Sequence, residues 1–583
     1  MKQVFLTQLD QSSLDHKDSV LLGDWCINLA DKDWVKKRER SLDYHWNNRI
    51  KFSKDYIYIN TLNSRMLKSL AFTLNKVLDR QYPLKFWNIL LGPWLTNFNS
   101  ALFDRWETIN KLLQTHGKNF ETKILTNKID PPKDLFEFRG LLDSDYWNHI
   151  QFSKILLHLL PDKEFNKLVI ETPSKINTFK GNDRVNSSIF MQLAYFFIST
   201  FENIFKQILN SFNYKKRYVI FEPGFHRELK FKIFLKLRSI PFMYLSFRRK
   251  IEAEDSFERS NFNLEAFEPS NPFELFLLDR VKESLPMAYL EKFQDLETLA
   301  KREFSTKKII TAYSYWYNEF FKIWAGLQSN QGSKLIILEH GGSFELSMGG
   351  RDYLEEIADI NVSWGVEKNS NYKRLPPNKL YYSRKTKPSN NDVITLFDYE
   401  NVRFGYRAVG GPTGPLVLDE HLQKISFLKL LPDRIMSNVR IKPKYLGSWN
   451  LESSYKREFG SKVLSSHNDL PSIIDNSKLI ISGYPQTSFS EAMFSRVPSM
   501  LLITEELWDI SSIYSDLLID LKAAKILHGS PISAAEHLID IYQDIEAWWN
   551  EPKTIEARNH FDKMCNTVSD CPSRDWVSFI KSI

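Results

Sequence analysis

Residues 478–502 read KLIISGYPQTSFSEAMFSRVPSMLL, and this stretch narrows the choice of fold more than any other in the chain. An apolar run leads into a turn at Ser482-Gly483-Tyr484-Pro485, Thr487, Ser488 and Ser490 precede Glu491-Ala492-Met493-Phe494, and a second apolar run follows Pro498. The pattern is strand, hydroxyl-rich turn, short helix, strand. Two strands joined through a helix belong to a parallel sheet, because the helix carries the chain back to the starting edge. Such a turn gathers backbone N–H groups, hydroxyls and the positive end of a helix dipole at one point, where a phosphate can be held. Glu491, one turn into the helix, is then placed for a ribose hydroxyl pair. The same residues also fit a plain helix start, with Thr487 or Ser488 as N-cap and Glu491 as its capping-box partner. Both readings stay open on this segment alone.

The rest of the chain repeats the alternation. Strands are expected at residues 4–7 and 56–62, with a second element ending in a Gly turn at 21–25 between them, then a helix to about Arg80. Residues 86–91 run into Gly92-Pro93-Trp94, and a helix follows through Phe103, Trp106 and Leu112. Asp104-Arg105-Trp106 reads as an ordinary helical ion pair beside a buried Trp. Asp130-Pro131-Pro132 interrupts the pattern and opens a helical or irregular insertion near 130–215. Strands resume at 217–222, 241–247, 307–311, 334–338 and 361–366, with a helix over 313–327. Residues 371–391, with Pro376, Pro377 and Pro388 among Lys, Asn and Ser, have the composition of a linker. After it come a strand at 393–397, a helix at 418–431, a strand at 436–442, the opening segment, a helix at 505–522, and two helices from about Ile532 that join near Glu551-Pro552. The expected fold class is α/β, with two Rossmann-like domains, 1–370 and 392–540, facing a cleft, and C-terminal helices over 541–583.

Composition excludes several classes. A chain of 583 residues exceeds one ordinary core, and 43% hydrophobic with 26% charged residues describes a globular protein rather than a disordered one. The 78 basic and 71 acidic residues are interleaved, which fits an anionic small substrate or contact with an anionic membrane and not a nucleic-acid-binding face. Cys26, Cys565 and Cys571 form no C-x-x-C pair and no metal-ligand spacing, so a reducing compartment is expected. MKQVFLTQLD reaches an aspartate too early for a signal peptide, and no apolar run is long enough to span a bilayer, so the expected location is cytoplasmic, with peripheral contact at the inner face of the cell membrane. No G-x-S-x-G elbow and no Walker loop occur, and Asp31-Lys-Asp33 and Asp143-Ser-Asp145 match D-x-D by letter only, so no metal is called for.

Ligands of open α/β sheets bind beyond the carboxyl ends of strands, and each conspicuous motif falls at such an end. His340, delivered by a buried strand and followed by Gly341-Gly342, is the first candidate for a general base because its ordinary pKa lies near working pH. Glu339 serves as its orienting partner, and the glycines allow close approach of a ligand or another backbone. Glu222, His226 and Arg227 flank Pro223-Gly224 as acceptor-binding groups or a second acid/base pair. Arg440 and Lys442 are candidates to neutralise a leaving phosphate. Ser482 lies in the donor turn, and Tyr484 is a candidate to stack on a base. Each also has a structural reading: a histidine bonded to a loop carbonyl, solvated cations, a core aromatic.

In sequence order, TQLDQSS, LLGDWC, LLGPWL, EHGGSF, RIKPKYLGSW, YPQTSFSEAMFSRVPSMLL, ELWDI and EAWWNEP resemble the surface-carbohydrate transferases encoded in bacterial O-antigen loci. The EHGG box and the Ser/Thr-rich turn are more remotely similar to capsule-polysaccharide transferases of GT-B class that use a CMP-activated Kdo donor. The resemblance implies a metal-independent glycosyltransferase using a nucleotide sugar, CMP-linked by the remoter likeness, and no further cofactor. Its acceptor would be lipopolysaccharide, O-antigen or another surface glycan. By the same analogy the C-terminal domain holds the nucleotide, with phosphate at Thr487/Ser488 and ribose at Glu491. Relatives tend to carry Gln where this chain has Glu339, and a Thr-Thr pair where it has Thr487-Ser488. Two other classes share the expected architecture: a nucleotide-sugar epimerase or hydrolase, and a non-catalytic scaffold of a glycan assembly complex.

Overall fold

A computed structural model describes residues 2–10, 19–170, 218–237, 259, 262–342, 344–349, 352–380, 391–444, 448–464 and 470–583. The chain opens with β1 (Lys2–Phe5) and β2 (Ser19–Leu21), followed by two long helices, α1 (Arg49–Val77) and α2 (Leu84–His116). β3 (Phe120–Glu121) pairs parallel with β1 in a small sheet of order β2-β1-β3, and α3 (Leu135–Leu142) and α4 (Asp145–Leu159) follow.

The first main sheet contains β4 (Val219–Phe221), β5 (Lys308–Thr311), β6 (Lys334–Leu338), β7 (Ile360–Ser363) and β8 (Tyr372–Arg374), in the order β8-β7-β6-β5-β4 and parallel throughout. Its helices include α5 (Arg227–Leu237), α6 (Glu319–Asn330) and α7 (Asp352–Ile357). The second contains β9 (Ile394–Tyr399), β10 (Val439–Lys444), β11 (Leu479–Ser482), β12 (Ser499–Leu502) and β13 (Leu527–His528), in the order β10-β9-β11-β12-β13, also parallel. α8 (Leu416–Leu430) follows β9, and α9 (Thr487–Ser495) joins β11 to β12. These are two Rossmann-like halves, and the central strands of both are buried on both faces, as continuous apolar runs require. Of two C-terminal helices, α10 (Pro552–Cys565) packs on the helix at Ser515–Ala523 and on α9 in the second half, and α11 (Pro572–Ser582) returns to α5 in the first. Trp576 and Ile580 of α11 pack with Ile220, Ile310 and Leu338, and the Trp576 indole donates to Pro376 O at 3.1 Å. No helix of the described residues is long and apolar enough to cross a membrane.

Several sequence expectations fail. Residues 56–62 lie inside α1: Asn48 caps it by accepting from Lys51 N, and Phe52, Tyr56, Ile59, Met66, Leu70 and Leu74 are buried at helical spacing. Residues 86–91 belong to α2, which runs on through Gly92-Pro93. Pro93 has no N–H for the Ile89 carbonyl, and the Tyr353 hydroxyl donates to that carbonyl at 3.1 Å. Gly92 makes the room, since a methyl there would lie 2.1 Å from the Tyr353 ring. The expected helix over 313–327 breaks at Asn318, whose side chain caps α6, and most of 505–522 is short turns before a helix at Ser515–Ala523. The C-terminal region forms four helices rather than two, Pro531–Ile541 and Ile545–Trp549 preceding α10 and α11. Part of the expected linker is β8, the edge strand of the first sheet. The start of the expected insertion is α3 and α4, while 171–215, 241–247 and 381–390 lie outside the described residues.

α2 also carries a buried ion cluster rather than an ordinary surface pair. Arg105 and Asp104 are 0% and 1% exposed at their side chains and lie 2.7 Å apart. Asp104 accepts from Tyr44 at 2.6 Å and from His45 at 3.1 Å, and Arg105 donates to Asn148 at 2.8 Å and to Gly405 O in the second half. Burial pushes the Asp104 carboxyl up, but the His45 hydrogen bond and the Arg105 charge outweigh it and hold it below its ordinary value.

Arg105→Ala should lower stability by about 3–5 kcal/mol, because it strands the Asp104 carboxylate without its cation. Tyr353→Phe should cost about 1 kcal/mol through the Ile89 carbonyl. Urea unfolding reads both, and a midpoint unchanged in either variant would disprove that role.

Candidate functional site

The carboxyl ends of four adjacent strands in the first sheet meet at one edge. After β4, Glu222 sits at φ +43 and its carboxylate accepts from the Ser314 hydroxyl, while its carbonyl accepts from Ala312 N at 3.1 Å. A non-glycine residue in this region is held there by its surroundings. After β5, the Tyr313 ring lies 5.1 Å from the His340 imidazole, and its hydroxyl donates to His340 O at 3.3 Å. Burial, with the charges of Glu222 and Glu491, raises the Tyr313 phenol above its ordinary value. After β6, His340 is exposed. The Glu339 carboxylate accepts from Trp364 N at 2.6 Å, which ties the box to the tip of β7. Asn378 joins the same edge by donating to Pro223 O at 2.6 Å and accepting from the Trp364 indole at 3.0 Å.

The second half meets this edge through α9. A methyl on Gly341 would fall 2.5 Å from the Thr487 hydroxyl oxygen, and the Ser490 hydroxyl donates to Gly342 O at 3.2 Å. The paired glycines therefore admit a helix start rather than standing free. The N-cap of α9 is Gln486, and no side chain caps the first turn, so the Thr487 or Ser488 capping box does not form. Ser482 is spent locally, donating to Tyr484 O at 2.9 Å, and the Tyr484 and Ser488 hydroxyls bond each other. Tyr484 is buried and packs on Tyr399, with ring centroids 5.1 Å apart. Glu491 is buried as well.

Along this seam lies a cavity of about 510 Å³, lined by Glu339, His340, Gly341, Gly342 and Gln486, by faces of α1 and α2, and by residues 406–409 after β9. Asn60, Asn63, Asn88 and Thr96 give it a hydrogen-bonding wall in which Asn60 donates to Asp352 at 3.4 Å and Asn88 to Glu356 at 2.8 Å, and Tyr315, Trp316 and Tyr353 give it an aromatic one. Aromatic faces and neutral amides together suit a polyhydroxylated ligand.

The candidate residues thus fall into groups. His340, Glu339, Gly341 and Gly342 line the cavity, Thr487 and Ser490 abut the box, and the charges of Glu222 and Glu491 raise the Tyr313 phenol. His226 is fixed by its N–H to Asn378 O at 2.9 Å, and Arg227 is exposed at the start of α5. Arg440 is placed elsewhere: it pairs with Thr395 near the start of β10, and its guanidinium donates to Ser437 O and Val439 O at 3.1 and 2.8 Å. Lys442, on the same edge strand, is mostly buried, and burial lowers its pKa against the opposing charge of Glu452. Neither lines the cavity. Tyr313 and Ser314 were missed although they follow β5 at a strand end like the others. Arg139, Tyr406 and Arg407 carry no sequence signal. Among the described residues no group of three or more His, Cys, Asp or Glu is placed to hold a metal ion.

Gly341→Ala should destabilise the seam by about 1–3 kcal/mol, and Thr487→Ala in the same chain should recover part of the loss. A double-mutant cycle in urea checks this, and strictly additive losses would refute the contact.

Comparison with curated proteins gives no match. Solved structures to which the chain is similar include the S. aureus TarM G117R mutant in complex with Fondaparinux, alpha-GlcNAc-glycerol and UDP, at 11% identity over 47% of this chain and 55% of that one, TM-score 0.31. The chain thus spans little more than half of TarM. S. aureus MnaA with UDP matches at 10% identity over 61% and 86% of the two chains, TM-score 0.31. WaaG, a glycosyltransferase involved in lipopolysaccharide biosynthesis, matches at 11% identity over 63% and 99%, TM-score 0.27. At such identities and scores these likenesses carry no inference about chemistry. The profile of one family, described as LIC12162 family transferase, matches residues 2–580, and the chain belongs to that family of transferases.

Proposed function

We propose that this transferase is a glycosyltransferase of GT-B type that moves a sugar from a nucleotide-activated donor to a hydroxyl of a surface-glycan acceptor, lipopolysaccharide or O-antigen. One observation carries the reading: an exposed His340 stands at the wall of a 510 Å³ cavity at the seam where Gly341-Gly342 of one half meets the first turn of α9 in the other. Nucleotide phosphate is assigned to the Thr487/Ser488 turn, where the uncapped N–H groups and dipole of α9 favour negative charge. The ribose is assigned to Glu491. His340 takes the proton of the acceptor hydroxyl as its oxygen attacks the anomeric carbon, and the nucleotide departs with the bonding electron pair. The Tyr313 hydroxyl, bonded to His340 O, positions the histidine backbone. Donor chemistry of this kind suits the cytoplasm, at the inner face of the membrane where lipid-linked acceptors are built.

A thermal-shift panel of CMP, UDP, GDP and dTDP tests the reading. One nucleotide should raise the melting temperature, as any ligand selective for the folded state must. Glu491→Ala should remove that shift. His340→Ala should keep the shift and lose turnover by about 10²–10⁴-fold. If no nucleotide shifts the wild type, the glycosyltransferase reading is wrong. A shift that survives Glu491→Ala refutes only the ribose assignment, and sugar release without an acceptor identifies a hydrolase.

A further inference from the structure

The segment after β9, residues 400–411, is pinned along its length. Arg105 donates to Gly405 O, the Arg403 guanidinium pairs with Asp145, and Arg403 N donates to Asp143 at 3.1 Å. Further on, Gly410 N donates to Met348 O at 2.9 Å and Gly410 O accepts from Asp509 N at 2.7 Å. Between these pins Tyr406 and Arg407 face the cavity.

Arg407 differs from the arginines of the molecule that have a carboxylate partner, and unlike Arg558, whose Nε is also unpaired over the Trp549 ring, it lines the cavity. Arg105 pairs with Asp104, Arg403 with Asp145, Arg38 with Asp24 and Arg259 with Glu291. Among the described residues Arg407 makes no hydrogen bond and no ion pair, and its Nε is buried without an acceptor. Its guanidinium lies over the Trp316 ring, 5.6 Å from the centroid. A buried N–H without an acceptor costs stability unless a ligand supplies one, and the half-buried guanidinium of Arg407 presents its donors to the cavity.

A second guanidinium shares this end of the cavity. Arg139 of α3 lies 4.9 Å from the Tyr406 ring centroid and 5.3 Å from that of Tyr317, and donates to the Tyr317 hydroxyl. The two cations make their field felt on Tyr406. Burial pushes that phenol up, and Arg139 and Arg407 together outweigh it, leaving it more acidic than an ordinary tyrosine. The Trp316 face beneath the Arg407 guanidinium holds its plane in place, and Arg139 adds a second positive charge at the same end of the cavity.

We propose that Arg407 and Arg139 form an anion site at the aromatic end of the cavity that takes a phosphoryl group of a substrate. The proposal rests on the cavity being the substrate site. Two guanidinia from opposite halves suit a phosphoryl group, whose several oxygens accept from more than one fork at once. The phosphoryl group belongs either to the nucleotide-linked donor or to a phosphorylated, lipid-linked acceptor. The chemistry recognised is the same for both.

Isothermal titration of the full-length protein with inorganic pyrophosphate at low salt tests the site. Arg407→Gln should weaken binding about tenfold or more, Arg139→Lys by less because charge remains while the fork is lost, and Arg434→Gln, at an exposed site on the second half, should leave it unchanged. Arg407→Lys and a melting curve for each variant separate a lost site from a lost fold. Repeating the titration with the nucleotide from the thermal-shift panel and with a short-chain prenyl pyrophosphate names the source: selective loss with the nucleotide assigns the site to the donor, and with the prenyl compound to the acceptor. If pyrophosphate does not bind, or binds Arg407→Gln as well as the wild type, the anion site is wrong and Arg407 only packs on Trp316. A nucleotide shift that survives alongside that result leaves glycosyl transfer standing. Pyrophosphate binding that depends on Arg407 when no nucleotide binds keeps the anion site and removes the glycosyltransferase reading.

Discussion

The guanidinium of Arg105 is the joint on which the two halves of the molecule depend. It sits on α2, which supplies a wall of the cavity, and it reaches the carbonyl of Gly405 in the second half. A charge this deeply buried is tolerated only when its donors are engaged, and here Asp104, Asn148 and Gly405 O engage them. Tyr44 and His45 complete the acceptor side by donating to Asp104. A buried polar cluster satisfied in this way fixes one geometry, since any sliding of α2 against the 400–411 segment would strand several polar groups at once. The position of Arg407 in the cavity follows from that constraint.

A second constraint works on the same helix. Gly92-Pro93 would end or kink most helices, yet α2 continues because Tyr353 fills the notch with its ring and supplies the donor that proline lacks. Tyr353 belongs to α7 of the first half and lines the cavity. The break in the backbone ladder of α2 therefore becomes an anchor for that wall of the cavity. At the opposite side of the cavity the absence of side chains at Gly341 and Gly342 lets α9 come against the histidine box. One wall is set by a ring that fills a gap and the other by a gap that receives a helix.

These facts explain which parts of the molecule the sequence reveals. Buried parallel strands are continuous apolar runs, so β6, β9 and β11 are readable, and the strand-end rule leads directly to His340 and to Thr487. Residues 56–62 mislead because Tyr56, Ile57, Tyr58 and Ile59 are strand-favouring residues that α1 recruits through its cap and its burial pattern. LLGPWL misleads because its local signal is a turn, and the donor that overrides it comes from Tyr353, far along the chain. Arg440 sits in a correctly anticipated strand, but the register places it beside Thr395 at the wrong end. Arg139 and Arg407 have no local signature at all. Their approach is created by Arg105 and by the pairing of Arg403 with Asp145, contacts between distant segments that periodicity does not encode.

The cavity consequently has a division of labour that neither half possesses alone. The first half contributes His340, Tyr313, Arg139 and the amide wall, and the second contributes Gln486 at the cap of α9, Tyr406 and Arg407. A ligand that spans the cavity touches both sets at once, so the free energy gained at one depends on the other being in place. The Arg105 cluster holds them in place before any ligand arrives, which reduces the ordering that binding itself must accomplish. Preorganisation of this kind matters most for a phosphorylated sugar, whose charged and neutral ends demand opposite surroundings. Under the proposed function the phosphoryl group meets Arg407 over the Trp316 face, and the sugar meets the amides of Asn60, Asn63 and Asn88 along the same cavity. In this fold the Arg407 segment and the amide residues lie along one seam because α2 contributes to both, through Arg105 to the former and through Asn88 and Thr96 to the latter.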